Sequence, residues 1–204
     1  NYDGTSVMVV TNQQLEGHKS KISTTITHDI KTNAELYINL KVKVNRPRKD
    51  INMPRVGMVM ELPKNFNNVK WFGRGPHENY RDRAYAAHWG LYEKSVSDMV
   101  TPYIKPQENG NRYDVDRVIV SNDTMGIEIE GDSFCFSIHP YSLKTLTNAR
   151  HTPDLADADN NFLYIDLFQN ALGSENFFYN YLDKYIEKGS SFELDFRLSP
   201  IEPE

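Results

Sequence analysis

Apolar and polar residues alternate along much of the chain, which is the period expected of β-strands. The clearest case is the apolar series Leu36, Ile38, Leu40, Val42 and Val44, whose intervening positions hold Tyr, Asn and Lys. The same alternation predicts nine or ten strands, with turn-forming residues between most of them. These strands lie at about residues 5–10, 22–28, 36–44, 56–60, 69–73, 118–120, 127–129, 134–138, 163–168 and 192–198.

Helical signals are few. Four apolar residues in 83–93 (Ala84, Ala86, Ala87 and Leu91) predict a short irregular helix interrupted at Gly90, and residues 183–188 predict one further turn. Strands that follow strands favour an all-β fold of antiparallel sheets packed as a sandwich over a doubly wound α/β fold. A length of 204 residues fits a single sandwich domain over residues 1–204.

Two stretches do not follow the strand pattern. Residues 73–116 are rich in Gly, Pro, Asn and Arg, and residues 148–161 are mostly polar. Long loops inside a compact domain are usually functional or interfacial, because ordering irregular chain costs entropy without burying much area.

Composition excludes some functions. Hydrophobic residues make up 39% and charged residues 25% of the chain, which is ordinary for a folded domain. The net charge of −5 and the scattered basic residues argue against a nucleic-acid partner. No apolar run approaches the roughly 20 residues needed to span a bilayer, and no signal peptide opens the sequence. The chain begins almost directly with a strand, so we interpret it as a piece of a longer protein, whose compartment (cytoplasmic or periplasmic) stays open.

The densest group of candidate functional residues is WFGRGPHENYRDR at 71–83. Glu78 and Asp82 lie beside arginines, and His77 and Asn79 could add hydrogen bonds. One interpretation is a saccharide or catalytic site, and the other is a network of arginines and carboxylates that fixes the loop at a domain interface. We favour the second, because neighbouring arginines keep carboxylates ionised whereas a general acid needs a raised pKa.

The favoured interpretation makes specific structural predictions. Arg74, Glu78, Asp82 and Arg83 should form hydrogen-bonded ion pairs, and Trp71 should lie inside the sandwich.

A second group is TPYIKPQENGNR at 101–112, where Asn109-Gly110 predicts a turn and Glu108 could pair with Arg112. Glu78 and Glu108 could also be proposed as the two carboxylates of a glycosidase, but no distance between them follows from the sequence. We regard the pairing of Glu78 with Glu108 as the weaker hypothesis.

Other chemistry finds little support. Cys135, the only cysteine, lies in an alternating apolar run and is predicted to be a buried, unreactive thiol. The six histidines show no metal-site spacing, so no metal site is predicted. Neither a phosphate-binding loop nor a nucleophile elbow is present.

The runs WFGRGPHENYRDR at 71–83 and SDMVTPYIKPQENGNR at 97–112 closely resemble the paired signatures of the C-terminal, small-chain domain of family 2 β-galactosidases. Similarity of pattern extends over roughly residues 5–198. The resemblance implies an antiparallel supersandwich similar to galactose mutarotase, packed against a separate (β/α)₈ barrel that carries both catalytic glutamates of a retaining hydrolysis. It also implies that this chain lacks catalytic residues, is shorter than the family domain at its N-terminus, and helps to complete a pocket for terminal β-D-galactosyl groups.

The family domain contributes one tryptophan that stacks on the substrate. Alignment from Leu163, Ile165 and Asp166 through Gly173 places Phe178 at that position, with Phe177 adjacent. A phenyl ring can still stack on the apolar face of galactose, so Phe178 is the predicted substrate-binding residue and should lie exposed at one end of the sandwich. The alternative, that Phe178 packs in the core or at an interface, stays open, and the exact galactoside is not fixed.

The resemblance also implies Mg²⁺ and Na⁺ in the intact enzyme, with their ligands mainly in other domains and no cofactor in this chain. The implied partners are the remainder of the same polypeptide, a galactoside substrate and a second copy of the intact enzyme, without nucleic acid or membrane. Two alternatives stay open: a stand-alone carbohydrate-binding sandwich, and a mutarotase-like epimerase, which would need a His and a carboxylate in one cleft.

Overall fold

The computed structural model describes residues 4–17, 20–45, 53–156, 158–173 and 182–202, and it is built almost entirely from antiparallel strands. The predicted all-β sandwich is confirmed. The strands are β1 (Ser6–Glu16), β2 (Lys21–Lys31), β3 (Leu36–Asn45), β4 (Arg55–Pro63), β5 (Asn68–Gly75), β6 (His88–Ser95), β7 (Arg112–Ser121), β8 (Gly126–His139), β9 (Asn160–Gln169) and β10 (Ser191–Ile201). Two short helices, α1 (Val96–Met99) and α2 (Leu143–Asn148), and 3₁₀ turns at Thr152–Asp154 and Asp183–Tyr185 complete the described elements.

The strands follow the order β1-β2-β3-β10-β8-β7-β5-β6, and β4 and β9 join this path through β8. The long strand β8 makes that junction. Its first part, residues 126–131, pairs with β10, and its last part, residues 135–139, pairs with β9. Ser133 lies between the two parts with a positive φ of 46°, where β8 changes partner.

The core is formed by the buried sides of β3, β5, β7, β8, β9 and β10. Trp71 on β5 is almost completely buried there, as predicted from the sequence. Its ring packs against Tyr92 at 5.3 Å and against Phe136 at 5.9 Å between centroids. Cys135 on β8 is also buried, as predicted, and burial raises the pKa of its thiol to about 12.

The helix predicted at residues 83–93 is wrong. Residues 88–95 form strand β6, which pairs with β5 along its whole length, with Gly90 opposite Gly73. Gly90 weakens a helix at its centre, and the backbone bonds of β5 are satisfied only if β6 is extended. The predicted loop at 73–116 is therefore irregular only at residues 76–87 and 100–111, apart from α1 and the strands on either side.

Two smaller differences concern the strands and helices near β8. The separate strands expected at 127–129 and 134–138 are one continuous strand, β8. The helices α1 and α2 were not predicted, although each begins with a serine N-cap. Ser95 Oγ accepts a hydrogen bond from the Asp98 amide and Ser142 Oγ from the Thr145 amide. The loop predicted at 148–161 is confirmed for the described residues 149–156 and 158–159 apart from their 3₁₀ turn, whereas Asn148 ends α2 and residues 160 and 161 begin β9. The turn expected at 183–188 is present at its first three residues. Among the residues that the structure describes, no helix is both long enough and apolar enough to cross a membrane.

Candidate functional site

Both sequence signatures meet at one place, where the first signature loop (residues 76–87) contacts the second signature loop (residues 100–111). The Asn79 amide donates to the Asn111 carbonyl at 2.8 Å, and Asn111 Nδ2 donates back to the Asn79 carbonyl at 2.9 Å. Asn79 Oδ1 also accepts from the Tyr113 amide at 2.9 Å. Because both asparagines are buried, these bonds hold the two loops as one unit.

Glu78 adds a second link between the loops. One carboxylate oxygen accepts from the Tyr103 hydroxyl, and the other accepts from the Gly110 amide at 2.8 Å. Gly110 has a φ of +76°, and a Cβ there would lie 2.9 Å from the His139 ring, so glycine is required. Burial and the Glu78 hydrogen bond raise the pKa of Tyr103.

The prediction that Glu78 forms an ion pair is wrong within the part of the chain that the structure describes. Its carboxylate has no cationic side chain within 4.0 Å among them, because a backbone amide and a phenol already occupy both oxygens.

Arg112 is buried and is held mainly by carbonyl groups. Its guanidinium donates to the Gly110 carbonyl at 2.8 Å and to the Pro76 carbonyl at 3.1 Å, and it lies 5.2 Å from the centre of the Trp71 ring. Burial lowers the pKa of Arg112 to about 10, with the charge of Glu78 opposing that shift. The expected pair between Arg112 and Glu108 is therefore wrong, and Arg112 instead joins both signature loops to the core.

Arg74 forms an ion pair, as predicted, but with a partner outside the motif. Arg74 Nε donates to Asp114 Oδ2 at 2.9 Å, and Trp89 Nε1 donates to the same oxygen at 3.1 Å. Ser133 Oγ donates to Asp114 Oδ1 at 2.9 Å. Asp114 lies in an irregular part of the β7–β8 pairing with a φ of +62°, which turns its carboxylate toward these three donors.

Asp82 and Arg83 have contacts other than the predicted ion pairs. The Asp82 carboxylate accepts from the Gly173 amide at 3.0 Å and the Leu172 amide at 3.4 Å, which ties the first signature loop to the segment after β9. The Arg83 guanidinium lies 5.0 Å from the centre of the Tyr80 ring. Over the described ranges neither Asp82 nor Arg83 has an oppositely charged partner within 4.0 Å, so the ion pairs predicted for them are wrong there.

The remaining member of the motif is His77. Its side chain is exposed, and its carbonyl accepts from Asn79 Nδ2 at 3.0 Å. It thus helps to shape the turn through its backbone.

A partly buried ion triad lies at the end of the second signature loop, and sequence reasoning did not find it. Arg55 on β4 contacts the buried Asp166 on β9 through two nitrogens, with Nε 3.3 Å from Oδ1. Arg55 Nη1 donates to Glu108 Oε2 at 3.2 Å. Burial raises the pKa of Glu108, and the Arg55 guanidinium opposes part of that rise. The one signal in the sequence was the carboxylate of Asp166, which interrupts the apolar run at 162–168.

An open cleft of about 430 Å³ lies beside this triad. Arg55 and Glu108 lie on its polar side with Gln169 and Asn170, and leucines and Ile186 contribute apolar walls. Glu78 is not among the residues that line it. Glu78 is held by Tyr103 and Gly110 and Glu108 by Arg55, which argues against the weaker hypothesis of a glycosidase pair.

Within the described ranges, no three His, Cys, Asp or Glu side chains come together as ligands for a metal ion. These residues therefore offer no such cluster for the Mg²⁺ or Na⁺ that the resemblance implies for the intact enzyme. Phe178, the predicted substrate-binding residue, and its neighbour Phe177 lie outside the described residues. The described chain before them ends at Gly173, whose amide Asp82 binds.

Comparison with known proteins agrees with the signatures. Residues 2–198 match the family model described as β-galactosidase small chain. Over 124 residues, 61% of this chain, the sequence is 41% identical to a β-galactosidase of Vibrio cholerae, and over 173 residues, 83% of this chain, it is 33% identical to one of Lactococcus lactis. A Staphylococcus xylosus β-galactosidase is 33% identical over 74% of this chain.

The matched regions amount to 12%, 16% and 15% of those three relatives, so the aligned part of this chain spans about one seventh of their length. The family model covers nearly the whole chain, including both signature loops and every described strand except the last residues of β10. This chain therefore belongs to the β-galactosidase small-chain family.

Proposed function

We propose that this chain is the non-catalytic C-terminal domain of a β-galactosidase, and that it helps to complete the pocket for a terminal β-D-galactosyl group. The parent reaction is hydrolysis with retention, performed by two carboxylates in another part of the polypeptide. The observation that carries this proposal is the way in which the two signature loops are bonded to each other. Asn79 and Asn111 exchange backbone and side-chain hydrogen bonds, and Glu78 links the loops through Tyr103 and Gly110.

Such a site supports a positioning role better than a catalytic one. A retaining glycosidase needs one carboxylate free to attack and a second that exchanges a proton with the leaving group, about 5–5.5 Å apart. Both Glu78 oxygens are occupied by donors from its own domain, and Glu108 is bound to Arg55. The two bonded loops instead hold the segment after β9 in place, because the amides of residues 172 and 173 donate hydrogen bonds to the Asp82 carboxylate.

On this proposal the segment after β9 carries Phe178 to the substrate, where its ring stacks on the apolar face of the sugar. Mg²⁺ and Na⁺ belong to the intact enzyme and are held by residues outside this chain. The remainder of the parent polypeptide is the principal partner, and the intact enzyme self-associates.

The first test is activity of the chain alone. The 204-residue chain, purified to homogeneity, should not hydrolyse a chromogenic β-galactoside, whereas the full-length parent protein should. Far-UV circular dichroism establishes that the chain is folded in the assay. Turnover that co-purifies with the chain and survives a change of tag and column would contradict the non-catalytic role.

The second test concerns Phe178 in the full-length protein. Phe178→Ala should reduce kcat/KM by about 5- to 150-fold, the range for losing one stacked aromatic contact worth about 1–3 kcal/mol, while Phe178→Trp should retain activity. Phe177→Ala is the matched control and should change kcat/KM by less than about threefold. Unchanged kinetics in Phe178→Ala, or a large fall in melting temperature without a change in KM, would assign the ring to packing.

A further inference from the structure

An open groove of about 1080 Å³ crosses the outer side of strands β5, β6, β7 and β8, opposite the core. Its floor is built from residues that alternate with buried ones along β5 and β7 and that lie in register across the sheet. This surface, the outer groove, includes Lys70, Phe72, Leu91, Arg117, Ile119 and Glu128. None of these residues belongs to either signature loop, so the outer groove is separate from the site described above.

An exposed apolar patch lies at one end of the outer groove. Phe72 is 41% exposed, and its ring meets the Trp89 ring edge to face with 5.3 Å between centroids. Trp89 itself is 42% exposed, and Leu91, two residues further along β6, is 70% exposed. Contiguous apolar side chains on the outer side of a sheet add nothing to the core, and they mark a binding surface.

The indole of this patch is exposed but held in place. Trp89 Nε1 donates to Asp114 Oδ2 at 3.1 Å, and the same carboxylate accepts from Arg74 and Ser133. Asp114 and Ser133 have φ values of +62° and +46°, which residues other than glycine adopt at a cost. A ring that is already ordered loses little conformational entropy when a ligand stacks on it.

The rest of the outer groove is polar, and two ion pairs cross it. Arg117 Nη1 lies 3.6 Å from Glu128 Oε1. Lys70 Nζ lies 4.0 Å from Glu93 Oε2, and Asn68 Nδ2 donates to Glu93 Oε1 at 2.8 Å. Because each of these charges faces an opposite one, the two pairs create little net field, yet they offer donors and acceptors at short spacing.

Aromatic rings beside paired charges and amides fit a neutral saccharide better than other classes of ligand. A ring stacks on the apolar face of a sugar, and sugar hydroxyls donate to carboxylates and accept from ammonium, guanidinium and amide groups. A polyanion requires a net positive surface, and the centre of a protein interface is depleted of charged residues. Residues 68–72 of β5 span about 13 Å, which admits more than one sugar unit.

We propose that the outer groove is a second saccharide-binding site, which holds part of an extended neutral oligosaccharide on the rings of Phe72 and Trp89. The paired side chains beside these rings supply hydrogen bonds to the sugar hydroxyls. The groove performs no chemical step, and it raises the local concentration of long substrates at the enzyme. This inference rests on the proposed function only for the choice of a β-galactosyl chain as the probe.

Affinity electrophoresis of the full-length parent protein, in native gels that contain a soluble, neutral β-linked galactan, tests this binding. Phe72→Ala and Trp89→Ala should each raise the apparent Kd for the galactan by at least about fivefold, because one ring contact is lost. Phe72→Tyr keeps a ring and should migrate like the wild type. No retardation of the wild type, or equal retardation of the wild type and Phe72→Ala, would overturn the proposal.

Tyr37→Ala is the matched control. Tyr37 is 41% exposed, as Phe72 is, and it lies in the same outward row of the sheet, but on β3 and outside the outer groove. Retardation of Tyr37→Ala should equal that of the wild type. If Tyr37→Ala lost as much affinity as Phe72→Ala, the groove would not be the binding site and the proposal would fail.

Two further measurements show whether Phe72→Ala acts through the groove. Turnover of a nitrophenyl β-galactoside reports on the catalytic pocket, and its kcat/KM should stay within about twofold of the wild type. The melting temperature reports on packing and should fall by less than about 2 °C. A fall of about 5 °C or more without weaker retardation would show that another segment covers the ring, and would overturn the proposal.

The same measurements keep the two proposals apart. A full-length protein that hydrolyses the nitrophenyl galactoside but is not retarded through Phe72 would reject this inference and leave the proposed function standing. A protein retarded through Phe72 that hydrolyses no β-galactoside would reject the proposed function and leave the second saccharide site standing.

Discussion

His139, at the end of β8, is a buried histidine with one satisfied ring nitrogen. Its Nε2 lies 2.9 Å from the Asn109 carbonyl, so this nitrogen carries the proton and donates, and Nδ1 has no partner among the described residues. A second proton would have to be placed on Nδ1 in a dry site. Burial is the largest influence and lowers the pKa of His139 to about 4, Arg55 and Arg112 act in the same direction, and the Asn109 carbonyl and Glu78 oppose it.

This shift predicts a loss of stability in mild acid. The pKa of His139 in the folded state lies below the ordinary value of 6.5, so the unfolded chain binds the proton more tightly than the folded chain. The stability contributed by burying the neutral ring is therefore fully present above about pH 6.5 and is lost as the pH falls toward 4. Between pH 7 and pH 5 the wild-type chain should lose about 2 kcal/mol of unfolding free energy that His139→Gln does not lose, as measured by urea denaturation. His88→Gln, at an exposed position, should follow the wild type. Parallel pH profiles for wild type and His139→Gln would show that this histidine is not responsible.

At the same scale, the sequence predicted which residues of the signature loops matter but not what they bind. Glu78, Asp82 and Arg74 were all expected to pair within one short motif. Their partners are instead Gly110, Gly173 and Asp114, which are 32, 91 and 40 residues away along the chain. Two of those partners are backbone amides, which every residue type except proline offers, so residue identity cannot indicate them.

At the scale of elements, the pairing of β4 with β9 depends on a residue without a side chain. A Cβ on Gly57 would lie 2.2 Å from Asp166 Oδ1 and 2.3 Å from the Ile165 carbonyl, at a register shift between Val56 and Gly57. The β9 backbone and the carboxylate that binds Arg55 both occupy the space that a side chain would need.

Gly57→Ala should therefore destabilise the chain by about 3 kcal/mol, near the upper end for overpacking, because backbone as well as side chain must move. Gly17→Ala is the control: its Cβ would meet mainly Ser20 Oγ at 3.1 Å, and we expect a change below about 1 kcal/mol. Urea denaturation of both variants measures the difference. A Gly57→Ala variant as stable as Gly17→Ala would mean that β9 relaxes without cost.

Strands could be predicted where one face is buried and the other is not. From Ile38 onward every second residue of β3 is buried, and the sequence pattern shows this directly. β6 lies at the sheet edge and buries neither face fully, so its residues Trp89, Leu91 and Tyr92 follow no alternation, and nearby alanines suggested a helix instead. An edge strand is defined by its backbone partner, which a single-sequence pattern does not contain.

At the scale of the whole molecule, the all-β class and the family could be predicted, but the strand order could not. The order places β10 between β3 and β8, so the last described strand fills a central position of the sheet. Leu194 pairs opposite Leu40, which lies 154 residues earlier in the chain. Hydrophobic periodicity indicates that each strand has a buried face, but it carries no information about which neighbour supplies the backbone hydrogen bonds.

The central position of β10 has a consequence for synthesis on the ribosome. The β1–β2–β3 sheet and the β5–β8 strands can each begin to form as they leave the exit tunnel, but β3 and β8 keep open edges until residues 191–201 have followed. Pairing over such long separations is slow, because the loop-closure entropy is lost before the contacts form. The nascent domain therefore exposes two template edges until late in translation, and that interval is when chaperones would be needed most.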